Sequence, residues 1–299
     1  FIFFSLGDII YLMMFILLFY KLYNFFKKNT FIYLKFLTNT LYCFSIILFL
    51  FYFTWGLNYY RIPIADKMKI NKDYSTSELI SLTNNFINSS NNLHEKLALN
   101  ENKPVKNNYS DEKIFSLINS NFKNLEGKKI QLSKINFSIY RFPLSYMGFS
   151  GYINPFTLES HLNKNIPKIN KPITIAHEMS HQIGYAKENE ANFIAFLNTY
   201  ENNDNYIRYS AYVFALKYCL LELKNRNFDV SNDKLIKIKP GIIHNLKENE
   251  KFWNSYNNPF RPLLKMAYTK FLQINGQRNG IKSYNEVVNL LIGFYRIKK

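Results

Sequence analysis

The stretch ITIAHEMSHQIGYAKENEANFIAF, residues 173–196, carries two histidines four positions apart and three glutamates in one short segment. Its first half contains the HExxH pattern, in which Glu178 directly follows the first histidine. Residues four apart share a face of an α-helix, so the imidazoles of His177 and His181 can point at one metal ion. The pattern therefore predicts a metal site on a helix.

The helix that carries this pattern is predicted over residues 173–183. Pro172 suits the first turn of a helix, and Gly184 suits the left-handed residue that often ends one. An ordinary helix with two surface histidines is the alternative. It is less favoured because a polar stripe on an otherwise apolar helix is costly to bury unless a partner, such as a metal, satisfies it.

Two neutral imidazoles and a carboxylate are typical ligands of Zn²⁺, and three protein ligands leave one position open for water in a catalytic site. Glu178 would point beside the metal rather than at it. From there it can take a proton from the zinc-bound water and later pass it to a leaving amine. The sequence thus predicts zinc as the cofactor and Glu178 as the general base of a metallopeptidase that acts on a peptide or protein.

The third ligand is expected to come from a glutamate after the pattern, and both Glu188 and Glu190 are present. If the first helix continued straight, Glu188 would lie about 10 Å along its axis from His181. The chain must therefore turn back, which the glycine at position 184 permits. A second helix is then predicted over residues 188–199.

The residues around each glutamate favour Glu188 as the ligand. Its helical face carries Ala191 and Asn192, small or polar residues that let two helices approach closely, whereas the face of Glu190 is apolar and typical of a core. Asn192, four residues after Glu188, could hold the free N–H of a ligand histidine. Glu190 stays the alternative ligand, and is otherwise expected to be a nearby acid or a helix cap.

Two long apolar runs precede this region, over about residues 9–26 and 36–57. Roughly 20 apolar residues span a bilayer as a helix, so both runs are predicted to be transmembrane helices in a membrane region at residues 1–60. A buried helix of a soluble protein is the alternative for the first run. The second run contains no charged residue, which favours a membrane span.

The short loop between the two runs is basic and contains no acidic residue. The lysines from the last part of the first run to the start of the second are Lys21, Lys27, Lys28 and Lys35. Because positively charged loops stay in the cytoplasm, the chain after the second run is predicted to lie on the outer side, with Asp8 near the outer end of the first helix. Trp55, Tyr59 and Tyr60 are predicted to form an aromatic belt where the second helix leaves the bilayer.

Residues 61–299 are predicted to form one extracytoplasmic domain. Apolar spacing at helical periods dominates it, while the alternation over residues 135–139 indicates a strand, and a further strand is expected after the glycines near residue 150. The predicted fold class is therefore mainly α with a small β-sheet, after two N-terminal transmembrane helices.

A peptidase also needs a donor for the oxyanion of its tetrahedral intermediate. The segment RYSAY, residues 208–212, follows the ligand helix closely, so Tyr209 and Tyr212 are the preferred candidates. Other candidates are Arg208, His161 and His244. For the two histidines an ordinary location on the protein surface is the favoured expectation.

The formal net charge of +17 indicates a basic chain. Nucleic acid is nevertheless not expected as a partner, because the lysines are scattered and form no block that alternates with aromatic residues. The abundance of Lys, Asn, Ile, Phe and Tyr fits an A/T-rich coding sequence instead. With only two cysteines and no CxxC pair, a disulfide framework and a cysteine-ligated zinc site are not expected either.

HExxH followed by Glu-x-x-Ala-Asn resembles the gluzincin metallopeptidases, and several membrane-bound gluzincins have Glu-x-x-Ala-Asp as the motif of the third ligand. The resemblance implies zinc ligation by His177, His181 and Glu188, with Glu178 as the base. It places Asn192 where those relatives have an aspartate that braces a histidine. Asparagine can orient a histidine but brings no charge, and the interval between the second histidine and the glutamate is shorter than is usual in gluzincins.

More widely, the chain resembles a bacterial family of membrane proteins with a zincin-like domain and no assigned function. The matching segments are GDIIYL (7–12), WGLNYYR (55–61), SYMGFSGYINPFT (145–157), HEMSHQIGYAKENEANFIAF (177–196), RYSAY (208–212) and NGQRNGIKSY (275–284). The resemblance implies an anchor in the bacterial inner membrane and a zinc site. In zincins a strand before the HExxH helix often pairs with an extended substrate, which implies this role for residues 149–156; an internal strand is the alternative.

Two functions are compatible with these patterns. The first is a membrane-anchored zinc metallopeptidase, whose partners are the lipid bilayer and a polypeptide substrate. The second is a zinc-binding membrane sensor or scaffold without catalysis, in which a fourth protein ligand would close the metal site. No pattern indicates an oligomeric state.

Overall fold

The computed structural model describes residues 5–27, 33–71 and 73–298, so Lys28 of the predicted cytoplasmic loop lies outside the described residues. The described chain is mainly helical with a small sheet after two N-terminal apolar helices, which confirms the predicted fold class. The helices are α1 (Leu6–Lys27), α2 (Tyr33–Thr54), α3 (Ile64–Lys67), α4 (Thr76–Leu97), α5 (Asp111–Asn119), α6 (Arg141–Met147), α7 (Lys171–Gln182), α8 (Glu188–Thr199), α9 (Asn205–Arg226), α10 (Phe228–Ile236), α11 (Pro240–Ser255), α12 (Arg261–Ile274) and α13 (Val287–Lys298). Short 3₁₀ helices lie at Gly56–Tyr60, Lys168–Asn170 and Gly280–Glu286.

The first two helices are each long and apolar enough to cross a bilayer. Nearly all of their side chains face away from the rest of the described chain, as expected of helices whose apolar surface is covered by lipid. The helix α2 ends at Thr54, three residues before the predicted end of the second apolar run. The following residues form a 3₁₀ helix that already belongs to the folded domain.

The predicted aromatic belt after α2 is wrong for two of its three members. Trp55 and Tyr59 are only 5 % and 8 % exposed, because they pack with Ala186 in a small apolar cluster beside the HExxH segment. Tyr60 is 70 % exposed and is the one residue of the three that is free to face the bilayer surface. Aromatic composition at a helix end does not distinguish a ring that faces lipid headgroups from one that packs into a domain.

The core of the domain is a group of packed helices. The helices α4 and α9 lie against each other, and α7, α8 and α13 pack onto them. Phe86 of α4 lies at the centre, in contact with the rings of Phe196, Tyr212 and Tyr295 from three other helices. This core fixes α7 and α8 side by side, and these two helices carry the conspicuous histidines and glutamates.

A sheet of three short strands packs against α7. The strands are β1 (Asn136–Phe137), β2 (Gly151–Ile153) and β3 (Ser160–Leu162), in the spatial order β1-β3-β2. The strand β3 is parallel to β1 and antiparallel to β2. The strand expected over residues 135–139 is therefore only two residues long, and β2 lies at an edge of the described sheet rather than inside it.

A buried polar cluster attaches the start of α1 to this sheet. The Asp8 carboxylate is 1 % exposed and accepts hydrogen bonds from Ser138 Oγ, from the Ile139 amide and from the Tyr152 hydroxyl. The ring of Tyr152 stacks on His161, with 4.5 Å between ring centroids. His161 is fully buried, so the expectation that it lies on the surface is wrong.

Candidate metal centre

The predicted turn between the two site helices is present. The chain leaves α7, and Gly184 adopts a positive φ of 82°, a conformation that favours glycine because it has no Cβ. A side chain at this position would also collide with Asn58 Oδ1 and Arg61 Nη1, each 2.7 Å from an ideal Cβ. The helix α8 then begins at Glu188 and packs along α7.

Three ligand atoms converge between α7 and α8. His177 Nε2 and His181 Nε2 are 3.0 Å apart, and Glu188 Oε2 lies 3.2 Å from the first and 3.7 Å from the second. One point lies about 2 Å from all three corners of such a triangle, which is the length of zinc–nitrogen and zinc–carboxylate bonds. Among the described residues these three form a cluster able to hold a metal ion.

Both imidazoles are oriented by hydrogen bonds on their other nitrogen. His177 Nδ1 donates to Asn192 Oδ1 over 2.8 Å, and His181 Nδ1 donates to the carbonyl oxygen of Tyr185 over 2.7 Å. A proton on Nδ1 leaves the Nε2 lone pair free in the neutral ring. The two neighbours therefore select the tautomer that binds a metal through Nε2.

The two carboxylate oxygens of Glu188 have different surroundings. Its Oε1 accepts a hydrogen bond of 2.8 Å from the Tyr268 hydroxyl, which fixes the side chain. Its Oε2 faces the two Nε2 atoms and, while these carry no proton, receives no hydrogen bond within the described part of the chain. A buried carboxylate oxygen without a donor is costly, and a cation at the centre of the triangle would satisfy it. The residues present thus fit a metal ion.

The alternative ligand, Glu190, points elsewhere. Its Oε1 accepts a hydrogen bond of 3.0 Å from the Ile64 amide at the start of α3. The structure thus brings Glu188 and not Glu190 to the two histidines. Glu190 instead ties α8 to the short helix that follows the second apolar helix.

The charges of the site interact strongly in the metal-free chain. Burial disfavours a charged His181, but the hydrogen bond and the charge of Glu188 outweigh burial and raise the pKa of His181 to about 9. For Glu188, burial is likewise outweighed by hydrogen bonds and charge from both histidines, which hold its pKa well below its usual range. Without a metal, the site is therefore a buried imidazolium–carboxylate pair at neutral pH.

Glu178 lies beside this cluster and is not bonded to it. Burial raises its pKa to about 7, although the charges of the two histidines oppose this shift. Its Oε2 has no hydrogen-bond partner among the described residues. The edge strand β2 runs so close that a Cβ on Gly151 would collide with the Glu178 carboxylate, so the glycine makes room for it.

A cavity of about 630 Å³ opens beside Glu178. The first histidine, Glu178 and the edge strand form one wall, and α9, α11, α12 and the 3₁₀ helix before α13 form the others. The basic residues along its wall are Lys217, Arg261, Lys265 and Lys282. Among the described residues that line it, Glu178 is the one acidic side chain, so the cavity has an excess of positive charge.

The structure does not bring the predicted oxyanion donors to the metal centre. Tyr209 is fully buried, and its hydroxyl donates to Asn245 Oδ1 over 2.9 Å. Tyr212 packs against the rings of Phe86 and Phe196 in the helical core. Neither tyrosine lines the cavity. His244 is exposed on α11, and the remaining candidates, Arg208 and His161, do not line the cavity either.

Other tyrosines surround the site instead. Tyr218, Tyr268 and Tyr284 line the cavity, and the hydroxyls of the last two are 3.4 Å apart. Burial and the charge of Glu188 raise the pKa of Tyr284 well above its usual range, so its hydroxyl keeps a proton to donate at neutral pH. These residues come from helices far along the chain. The one sequence signal for them is that Tyr284 closes the segment NGQRNGIKSY.

The segment after α2 supports the metal helix directly. Arg61 Nη1 donates to the carbonyl oxygen of Ile183 over 2.8 Å at the end of α7, and its guanidinium lies 4.8 Å from the ring centroid of Tyr185. The ring of Trp55 meets that of His181 edge-on, with 6.0 Å between centroids. The exit of the second apolar helix is therefore part of the metal centre's framework.

The chain belongs to a family described as "protein of unknown function (DUF3810)", whose model matches residues 1–292. Among curated proteins and among solved structures no match to the chain was found. The family description names neither a metal nor a reaction.

Proposed function

We propose that the protein is a membrane-anchored, zinc-dependent metallopeptidase with its active site on the outer side of the inner membrane. The observation that carries the proposal is the triangle of His177, His181 and Glu188 ligand atoms beside an unbonded Glu178. His177 and Glu178 of this group lie at one wall of a cavity that an extended polypeptide can enter. A bare HExxH helix lacks the third ligand, the bracing of both imidazoles and the adjacent open space.

Two imidazoles and one carboxylate form the ligand set of many catalytic zinc sites. A zinc ion held by His177, His181 and Glu188 would supply Lewis-acid polarisation of water and of the substrate carbonyl. The described residues offer no fourth protein ligand to the triangle. This supports a catalytic site over a purely structural one, because structural zinc sites are usually closed by four protein ligands.

Glu178 is suited to act as the general base. Its carboxylate is buried and adjacent to the ligands, and its Oε2 has no hydrogen-bond partner among the described residues, so it is available to a water in the cavity. A base whose pKa lies near neutrality can both accept and release a proton. In the proposed reaction Glu178 takes a proton from the attacking water and delivers it to the nitrogen of the leaving amine as the peptide bond breaks.

The edge strand β2 is placed to hold the substrate. One side of β2 pairs with β3, and at its start Gly151 lines the cavity beside Glu178. An extended peptide that adds to a sheet edge gains main-chain hydrogen bonds without the need for a particular side chain. We assign β2 this role, and Tyr284 the role of a donor to the oxyanion.

The proposed location of the site is supported by the two apolar helices and the charge between them. The loop lysines favour the cytoplasmic side for the connection, so both outer ends lie on the opposite side. Asp8 at one outer end and Trp55 at the other both contact the domain, in agreement with a domain that lies on that side. A C-terminal reporter that is active only in the cytoplasm would overturn this orientation.

The decisive experiment measures bound zinc and peptide hydrolysis in the purified full chain. Glu178→Gln is expected to retain zinc and lose turnover, whereas Glu188→Gln is expected to lose zinc. Glu190→Gln is the matched control for the second variant, since Glu190 lies two residues further along α8 and its carboxylate binds the Ile64 amide instead. Hydrolysis that survives Glu178→Gln would refute the mechanism. A wild-type chain that binds zinc but hydrolyses no peptide would instead support a sensor or scaffold.

A further inference from the structure

The helix α12 has two different faces. Its inner face belongs to the metal centre: Tyr268 donates to Glu188, Leu264 lines the cavity and Leu272 is fully buried. Its outer face is apolar and exposed. Phe260, Leu263, Met266 and Ile274 are each more than half exposed to solvent. An amphipathic helix normally exposes polar residues, so this outer face needs a partner.

The end of α12 lies against the end of the second apolar helix. The ring of Phe271 contacts those of Phe51 and Tyr59, at centroid distances of 6.0 and 6.3 Å. The hydroxyl of Tyr52 donates to Asn275 Oδ1 over 3.3 Å, just beyond the end of α12. The exposed face of α12 is therefore continuous with the lipid-facing surface of α2.

Exposed apolar residues also lie beside the end of α1 that carries Asp8. Ile139 and Tyr140 bind Asp8 at the start of α1, and α6 begins at the next residue. Ile139 and Phe142 are more than half exposed. The helices α6 and α12 pack against each other, and Asn258 Nδ2 donates to the carbonyl oxygen of Tyr146 over 3.0 Å. Exposed apolar residues thus flank both points where the apolar helices meet the domain.

We infer that the outer face of α12, with Phe260, lies in the surface of the lipid bilayer beside the exit of α2. The occupant is lipid rather than a protein, because this face continues an apolar surface that is already suited to lipid. Lys270 lies among the exposed apolar residues of α12, and a lysine in that place can reach anionic headgroups. The arrangement matches an amphipathic helix that lies parallel to a membrane surface.

This placement has a consequence for the substrate, which rests on the proposed peptidase function. The same helix forms a wall of the cavity through Arg261, Leu264 and Lys265. If its outer face lies in the bilayer surface, the cavity lies next to the headgroups. The preferred substrates are then polypeptides attached to the membrane, cleaved close to their point of attachment, rather than peptides free in solution.

The membrane contact can be tested without any activity measurement. In a Cys43→Ser background, where the remaining Cys219 is fully buried, single cysteines replace Leu263 or Ile274 and carry an environment-sensitive fluorophore. The full chain is placed in nanodiscs with or without lipids that bear a nitroxide on the acyl chain. Quenching by the nitroxide lipids and a blue-shifted emission are expected at both positions.

The matched control is Leu99→Cys, at a leucine that is 93 % exposed. Leu99 lies near the start of α11, where the Gly241 amide donates to the carbonyl oxygen of Glu101. The start of α12 lies near the other end of α11, where Arg261 donates to the carbonyl oxygen of Trp253. These two ends are about 18 Å apart along the helix axis. No quenching is expected there. Labels on α12 that are not quenched overturn the inference. If their emission is nevertheless blue-shifted, the face is covered by a protein partner instead of lipid.

The substrate preference needs a second measurement. One peptide is offered to the chain in nanodiscs either free or linked to a lipid, and tethering is expected to raise kcat/KM by about tenfold or more through the effective concentration at the membrane. The Leu263→Asp and Ile274→Asp double variant should lose this preference while it still cleaves the free peptide. Equal rates for both forms overturn the inferred preference. Hydrolysis of neither form counts against the proposed peptidase, and the quenching result still decides the membrane contact.

Discussion

Replacement of Asn192 by alanine is expected to weaken zinc binding without removing any ligand. Asn192 is buried on α8, and its Oδ1 accepts the proton of His177 Nδ1 over 2.8 Å. In Asn192→Ala this N–H is left without a partner, and the His177 ring is free to rotate or to move its proton to Nε2, where it blocks the metal. Loss of such an outer partner typically costs 10–100-fold in metal affinity, or about 1.4–2.8 kcal/mol.

The measurement is a competition for zinc between the purified chain and a chromophoric chelator of known affinity. Asn198→Ala is the control, because Asn198 lies on the same helix but its Oδ1 accepts from the Lys123 amide, away from the metal centre. Its zinc affinity should equal that of the wild type. Asn192→Asp should bind at least as tightly as the wild type, since a carboxylate makes the imidazole more basic. An Asn192→Ala chain that binds zinc as tightly as Asn198→Ala would refute the role assigned to the asparagine.

Three further predictions concern the same centre. Gly151→Ala should retain zinc and lose most of its turnover. The new Cβ would collide with Glu178 Oε1 and would lie 2.7 Å from the His161 carbonyl oxygen, so either the carboxylate or β2 must move. Full activity in this variant would contradict the proximity of β2 to the proposed base. Without zinc, His181 holds a proton up to a pKa of about 9, so zinc must displace this proton to bind. The zinc affinity measured by chelator competition should therefore rise about tenfold per pH unit from pH 7 towards 9. An affinity that does not change with pH would contradict the ion pair. Tyr284→Phe should lower kcat about 10²-fold with the zinc content unchanged, as measured by turnover and metal analysis. Tyr268→Phe should weaken zinc binding, because it removes the donor to Glu188. The opposite pattern would exchange the roles of the two tyrosines.

The parts of the site that depend on helical spacing were accessible from the sequence. The helix expected over residues 173–183 is Lys171–Gln182, and the one expected over 188–199 is Glu188–Thr199. Both depend on local signals: a proline at the start, a glycine between them and side chains four apart on one face. The choice of Glu188 followed from small neighbours that permit close helix packing, which is also a local property.

The surroundings of the site were not accessible in the same way. Nearness to α8 along the chain favours Tyr209 as a donor, but it does not determine which face of α9 meets the cavity. In the structure the Tyr209 hydroxyl binds Asn245 in the core. Tyr268 and Tyr284 lie 80 or more residues from the motif and reach it through the packing of α12 and the following 3₁₀ helix. His161 carries no sequence mark of burial, because its neighbour Asp8 belongs to the first helix of the chain.

The contacts of both apolar helices join these helices and the candidate metal centre into one structure. At the start of α1, the Asp8 carboxylate accepts hydrogen bonds from the Ile139 amide, between β1 and α6, and from the Tyr152 hydroxyl on β2. The strand β2 in turn passes beside the Glu178 carboxylate. Beyond the end of α2, Arg61 binds the end of α7 and Trp55 touches His181. A buried carboxylate such as Asp8 is stabilised only while its donors surround it. The proposed base and ligands are therefore positioned by elements that begin at the two apolar helices, which makes these helices a part of the candidate site rather than a detachable anchor.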